Sequence, residues 1–216
     1  KGIGYVVKKH GKIIVLEDDN LTSPFFLNYM NEALNLYAKN SKVASISAYS
    51  YPIDNKKKNY YFLRLADSWG WATWKRSWNL YEKNGNKLMK EIEKKNQSKE
   101  FNFENSYDFM RILRNYCLKL NNSWSIRWYA SMYLKNKLTL FPPKSFIENI
   151  GMDNSGVHAD NTNDYRSKLI KKYIKPQKIL VKESKYHFEK MKIFFNKIDK
   201  KNNLFNIITK KIRFIK

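Results

Sequence analysis

The chain has 216 residues, enough to bury a core as one domain, and 43% of them are hydrophobic. Its single cysteine, Cys117, excludes an intramolecular disulfide and any cysteine-built zinc site, which makes a reducing compartment the expectation. The formal net charge of +23 is uneven, because residues 166–216 hold 17 Lys or Arg against 3 acidic residues. Such a surface is drawn to nucleic acid, an anionic membrane face or phosphorylated substrates, unless it is simply a lysine-rich solvated coat.

Lys12 to Leu16 is a short apolar, β-branched run, the pattern of a strand covered on both faces, and it ends on Glu17-Asp18-Asp19. Thr22-Ser23-Pro24 supplies a cap and a first-turn proline. From there Phe26, Leu27, Met30, Ala33, Leu34 and Tyr37 repeat at helical spacing, which predicts a helix from Pro24 to about Lys39. Strands are expected at Val43 to Tyr49 and Tyr60 to Leu65, separated by a polar loop at residues 54–58. Strand, helix, strand is an α/β layer order, with a mixed sheet flanked by helices.

From Trp71 to Lys135 the pattern turns mostly helical, with candidates at 73–81, 86–96, 106–120 and 124–135, and all six tryptophans fall between Trp69 and Trp128. A short strand at Leu138 to Phe141 stops at Pro142-Pro143. Residues 1–165 read as one unit and 166–216 as a basic helical tail, whose scattered Ile and Phe suit one or two amphipathic helices on a membrane surface. The chain opens on no secretory signal and holds no run of about 18 apolar residues that would span a bilayer.

Three adjacent carboxylates repel one another, so a strand end that carries them needs a cation or a hydrogen-bond network to compensate. In open α/β sheets ligands bind outside the carboxyl ends of strands, where Glu17, Asp18 and Asp19 fall. A hard divalent cation, Mn2+ or Mg2+, suits one or two such carboxylates together with diphosphate oxygens and water. The alternative is a solvated turn feeding the helix at Pro24, where acidic residues are favourable in any case.

The run IIVLEDDNLTSPFFLNYMNEAL resembles the centre of a GT-A glycosyltransferase, and more narrowly bacterial family 2-like sugar transferases related in pattern to the N-acetylglucosaminyltransferase I group. Three further stretches resemble those enzymes in the same order: Asp67 to Trp74 (DSWGWATW), Ser123 to Ser131 (SWSIRWYAS), and Asn149-Ile150-Gly151 through Ser155-Gly156-Val157-His158. Together they cover about residues 12 to 160. The resemblance implies that a metal is held by Asp19, with His158 as a further ligand, and that Glu17 and Asp18 contact the donor sugar and ribose or order the metal's water shell. Trp69, Gly70, Trp71 and Arg127 are implied on the donor side, although core packing is as natural for the tryptophans and a structural ion pair for the arginine.

An inverting transfer needs a base for the acceptor hydroxyl. The family supplies one near its Trp-rich helix, but here Asn121-Asn122-Ser123 and Ser125 flank Trp124, which leaves Asp153, Asp108 and Glu104 as the carboxylates to consider. The resemblance also implies about a hundred residues of nucleotide-binding strands and helices before the acidic motif. The chain is therefore expected to be the carboxyl-terminal part of such an enzyme. The expected function is inverting, metal-dependent transfer from a nucleotide-sugar to a saccharide or lipid-linked acceptor in bacterial lipopolysaccharide or other surface-glycan synthesis. The place would be cytoplasmic and peripheral on the inner membrane, with an anionic membrane surface rather than nucleic acid as partner. The rival readings are a nucleic-acid-binding protein using its basic tail, and an inactive membrane-surface scaffold.

Overall fold

The computed structural model describes residues 2–56, 58–151 and 163–213, with side chains described as far as residue 200. Its secondary structure runs α1 (Gly2–His10), β1 (Lys12–Val15), β2 (Asn20–Thr22), α2 (Phe26–Leu36), β3 (Val43–Ser47), β4 (Tyr61–Leu63) and β5 (Trp71–Trp74). Then come α3 (Lys75–Trp78), α4 (Gly85–Lys94), α5 (Ser98–Phe101), α6 (Phe109–Cys117), α7 (Trp124–Leu134), β6 (Leu138–Phe141), β7 (Ile147–Asn149) and α8 (Lys185–Arg213). Five strands form one sheet in the order β1-β5-β3-β6-β4, in which only β3 and β6 pair in parallel. The short β2 and β7 pair antiparallel as a separate ribbon.

The sheet is mixed and covered on both faces, so its inner strands β3, β5 and β6 are buried at every position. On one face α2 sends Phe26, Tyr29, Met30, Ala33 and Leu34 against Ile46, Phe62, Ala72, Trp74 and Leu140. The Tyr29 hydroxyl, buried with them, donates to the Ser47 carbonyl at 2.8 Å and ties the helix to β3. On the other face α4, α6, α7 and the start of α8 pack on Tyr61, Leu63 and Phe141.

Two expectations change. Trp71–Trp74 is a strand where helical spacing began at residue 73, and α3 keeps only Lys75–Trp78. The reason is non-local: β5 lies between β1 and β3, with Trp71 in one core cluster and Ala72 and Trp74 in another, which is the period of a strand. The Lys12 run forms β1 as expected, but at the sheet edge, with Ile13, Ile14 and Val15 half-buried rather than covered on both faces. The described basic segment packs into the body: Met191, Phe194, Phe195 and Ile198 of α8 are buried in the second core. No described helix is long and apolar enough to cross a membrane.

Candidate functional site

The acidic triplet sits where β1 ends. Asp18 and Asp19 form a turn closed by the Asn20 amide donating to the Glu17 carbonyl at 3.3 Å, and the chain then enters β2. Because β2 pairs with β7, Asn20 lies opposite Asn149, and the Ile150 amide donates to the Asp19 carbonyl at 2.8 Å. Two amide side chains hold the Asp19 carboxylate from either side. Asn20 Nδ2 donates to Oδ1 at 2.9 Å and Asn149 Nδ2 to Oδ2 at 3.0 Å. Asn149 Oδ1 accepts from the Gly151 amide at 3.0 Å, which draws the backbone of Gly151 against the same carboxylate. Each carboxylate oxygen keeps a lone pair beyond these bonds.

A fourth carboxylate joins from the loop between β4 and β5. Asp67 is buried, its Oδ1 accepting from the Ser68 and Trp69 amides at 2.7 and 3.3 Å and its Oδ2 from the Ser47 hydroxyl at 2.9 Å. Burial pushes its pKa up to about 6, against the lowering effect of those hydrogen bonds. Glu17 is raised to about 7, first by burial and then by the negative charges of Asp19, Asp67 and Asp18. The four acidic groups thus share one electrostatic neighbourhood. None of them is in any ion pair among the described residues, although the chain has 42 Lys and Arg.

Asn20 adds a second anomaly. It is buried, and its Oδ1 accepts no hydrogen bond among the described residues while its Nδ2 is bound to Asp19. The carboxylates of Glu17, Asp18 and Asp19 are hard oxygen donors, and such donors fit Mn2+ or Mg2+ better than a soft cation. Among the described residues no three His, Cys, Asp or Glu side chains form a ready-made cage.

The other expected site residues separate. Trp69 is half-buried beside the cluster, its ring edge-on to Tyr49 at 5.0 Å and Tyr165 at 5.7 Å. Gly70 adopts φ +54°, and a Cβ there would lie 2.9 Å from Ile147 Cγ2, so only glycine lets β5 begin this close to β7. Trp71 is corrected from the donor side to the core: it is fully buried, with ring centroids 5.5 Å from Trp124 and 5.3 Å from Trp128. Arg127 likewise does structural work, its guanidinium lying 4.1 Å from the Tyr116 ring and donating to the Lys83 and Ser123 carbonyls. Asp108 caps α6, with Oδ1 accepting from the Arg111 amide at 3.0 Å and from Asn102 Nδ2 at 3.2 Å, a contact that accounts for it structurally. Glu104 pairs with Lys99 at 3.2 Å. Asp153 and His158 lie outside the described residues.

Asp67, Asn20 and Asn149 escaped the sequence reading as site members. An Asp followed by Ser-Trp-Gly does signal a turn in which its side chain accepts the next amides. Nothing local says that this turn faces the triplet, and Asn20 and Asn149 meet only through the pairing of β2 with β7. No family model matches the chain, and no curated protein matches it.

Proposed function

We propose that this chain carries the metal and donor-phosphate side of a GT-A glycosyltransferase that transfers a sugar from a nucleotide-sugar to a saccharide or lipid-linked acceptor. The observation that carries the reading is the group of Glu17, Asp18, Asp19 and Asp67 with no cationic partner among the described residues, in a protein of net charge +23. Four electrostatically coupled carboxylates with no lysine or arginine ion pair among the described residues favour a cation supplied from outside. The bland turn feeding α2 accounts for Asp18, but not for the buried Asp67 or the orphaned Asn20 oxygen.

On this reading Asp19 and Asn20 hold the ion, Asn149 and Gly151 fix the Asp19 carboxylate, and Glu17 and Asp18 face the donor. Bound Mn2+ or Mg2+ would supply charge neutralisation for a departing nucleoside diphosphate. Asp67 holds the Ser68 and Trp69 amides, and so fixes the loop that sets the half-exposed Trp69 ring beside the cluster, where an indole face suits the apolar face of a sugar. The reading includes inverting transfer in bacterial surface-glycan synthesis at the cytoplasmic face of a membrane, with Asp153 as the base to test first.

The test has a binding arm and a turnover arm. Mn2+ binding to the full chain is followed by the loss of free-ion paramagnetic resonance, and nucleotide-sugars are screened for Mn2+-dependent hydrolysis and transfer. Native protein is expected to bind the ion and Asp19→Ala to lose both signals while retaining its fold by circular dichroism. Equal Mn2+ binding by native protein and Asp19→Ala would sink the reading. So would tight, steeply salt-dependent nucleic-acid binding without any metal-dependent signal, which favours the rival class.

A further inference from the structure

A cavity of about 820 Å³ is lined by residues of the segment that follows β3, of the β6–β7 connection and of the stretch 167–177, and by none of the four acidic residues. Its floor includes Ser50, Ser145 and Ser167, knitted by the Ser50 amide donating to Ser145 Oγ at 3.2 Å and by Ser167 Oγ donating to the Ser50 carbonyl. Its wall includes Tyr51, Ile53 and Ile174. Six lysines line the cavity, Lys58, Lys144, Lys168, Lys171, Lys172 and Lys175, and among the described residues no acidic one does. They come from three separate stretches of chain, so their convergence is a product of the fold rather than of one basic run. Ser145 is bridged to Leu169, and the Ile170 amide donates to the Ser145 carbonyl at 2.9 Å, which pins the 168–175 stretch over the cavity.

None of these lysines is in an ion pair among the described residues. Glu32, which approaches the cavity, faces the Tyr173 hydroxyl. Six exposed lysines lining one concave, partly apolar opening create a positive potential that an anion relieves. A flat basic surface serves an extended polyanion, whereas a cavity of this volume takes a compact ligand with a body to bury.

We propose that this cavity is a binding site for a phosphate or diphosphate group carried on an apolar body. The phosphate engages the lysines, and the body lies against Tyr51, Ile53 and Ile174. The site is distinct from the acidic cluster, and it stands whether or not that cluster transfers a sugar. The two are nevertheless neighbours: Tyr51 packs edge-on to Tyr49 at 4.8 Å, and Tyr49 on Trp69 at 5.0 Å.

The experiment measures binding of dihexanoyl phosphatidic acid below its micelle concentration, and of inorganic pyrophosphate, by calorimetry on the full chain. Saturable binding of the lipid is expected, with pyrophosphate competing. The double variant Lys171→Glu/Lys172→Glu is expected to weaken it about tenfold or more. Lys94→Glu/Lys95→Glu, the same charge change on α4 away from the cavity, is expected to leave it within about twofold, since these exposed charges are screened over that distance. Ile174→Ser should weaken the lipid and spare pyrophosphate, with melting curves confirming that each variant folds. Co-sedimentation with vesicles containing phosphatidic acid, reversed by pyrophosphate, identifies a membrane headgroup as the source; lipid binding without co-sedimentation identifies a soluble phosphorylated ligand. Absence of saturable binding, or equal loss in the two double variants, overturns the site and leaves only the general attraction of a basic chain. Failure of the Asp19→Ala test has no bearing on this result, and the reverse holds.

Discussion

A Cβ placed on Gly151 would stand 2.6 Å from Asp19 Oδ2 and 2.9 Å from Asp19 Cβ, so this carboxylate is packed against bare backbone. The contact exists because β2 and β7 bring residues 130 apart in sequence into a 3.0 Å hydrogen bond, Asn149 Nδ2 to Asp19 Oδ2. Gly151→Ala is therefore expected to displace Asp19 at a stability cost of about 1–3 kcal/mol. Its Mn2+ affinity is expected to fall by about 10- to 100-fold, as when groups supporting a metal ligand are disturbed. Urea unfolding and metal titration on the same preparation check the two effects.

The buried Asp67 makes stability depend on pH in the opposite direction from a salt-bridged carboxylate. Its pKa is raised from 3.8 to about 6 in the folded chain, chiefly by burial. Well below pH 3.8 both states are protonated and no penalty exists; between about 3.8 and 6 the unfolded chain ionises while the folded one stays protonated, so stability falls across that window and levels off once pH passes about 6. Asp67→Asn keeps an acceptor for the Ser68 and Trp69 amides and removes that charge. It is expected to be more stable than native protein by about 1–3 kcal/mol at pH 8 and to match it near pH 4. Denaturant midpoints at pH 4, 6 and 8 read this directly.

Asp108→Ala tests a cap against a base. Loss of the 3.0 Å bond from the Arg111 amide is expected to cost about 1 kcal/mol. Metal binding and any transfer activity should be unchanged after correction for folded fraction. A fall in turnover by orders of magnitude at full folding would instead identify Asp108 as a catalytic group.

Trp71 belongs to an indole cluster with Trp78, Trp124 and Trp128. Trp71→Ala is expected to destabilise the fold by about 3–5 kcal/mol through the cavity it leaves. Trp69→Ala is expected to cost far less stability and to weaken donor binding. Thermal melts separate the two, and a larger destabilisation from the Trp69 variant would reverse the assignment.

Local pattern was enough for much of the secondary structure. Helical spacing located α2, α4, α6 and α7 with ends shifted by a few residues, and the apolar run stopped by Pro142-Pro143 located β6 at Leu138–Phe141. Those signals are short-range: side-chain period, caps and prolines act within a few residues. The placement of β5 was not legible, because WATWKRSW suits a helix until β1 and β3 pair with it.

The same division runs through the acidic site. By itself the sequence determined that three carboxylates, Glu17, Asp18 and Asp19, stand at the end of a strand, and that such a charge density calls for compensation. Only the tertiary structure decided how they are supported. It set Asp67 beside them from the β4–β5 loop, put Asn20 and Asn149 on the two oxygens of Asp19, kept lysine and arginine out of ion pairs with the four acids among the described residues, and withdrew Trp71, Arg127 and Asp108 into structural roles. The physical reason is range: covalent neighbours fix where charges are concentrated, whereas desolvation and charge coupling depend on which distant segments the sheet and its ribbon bring within a few ångströms.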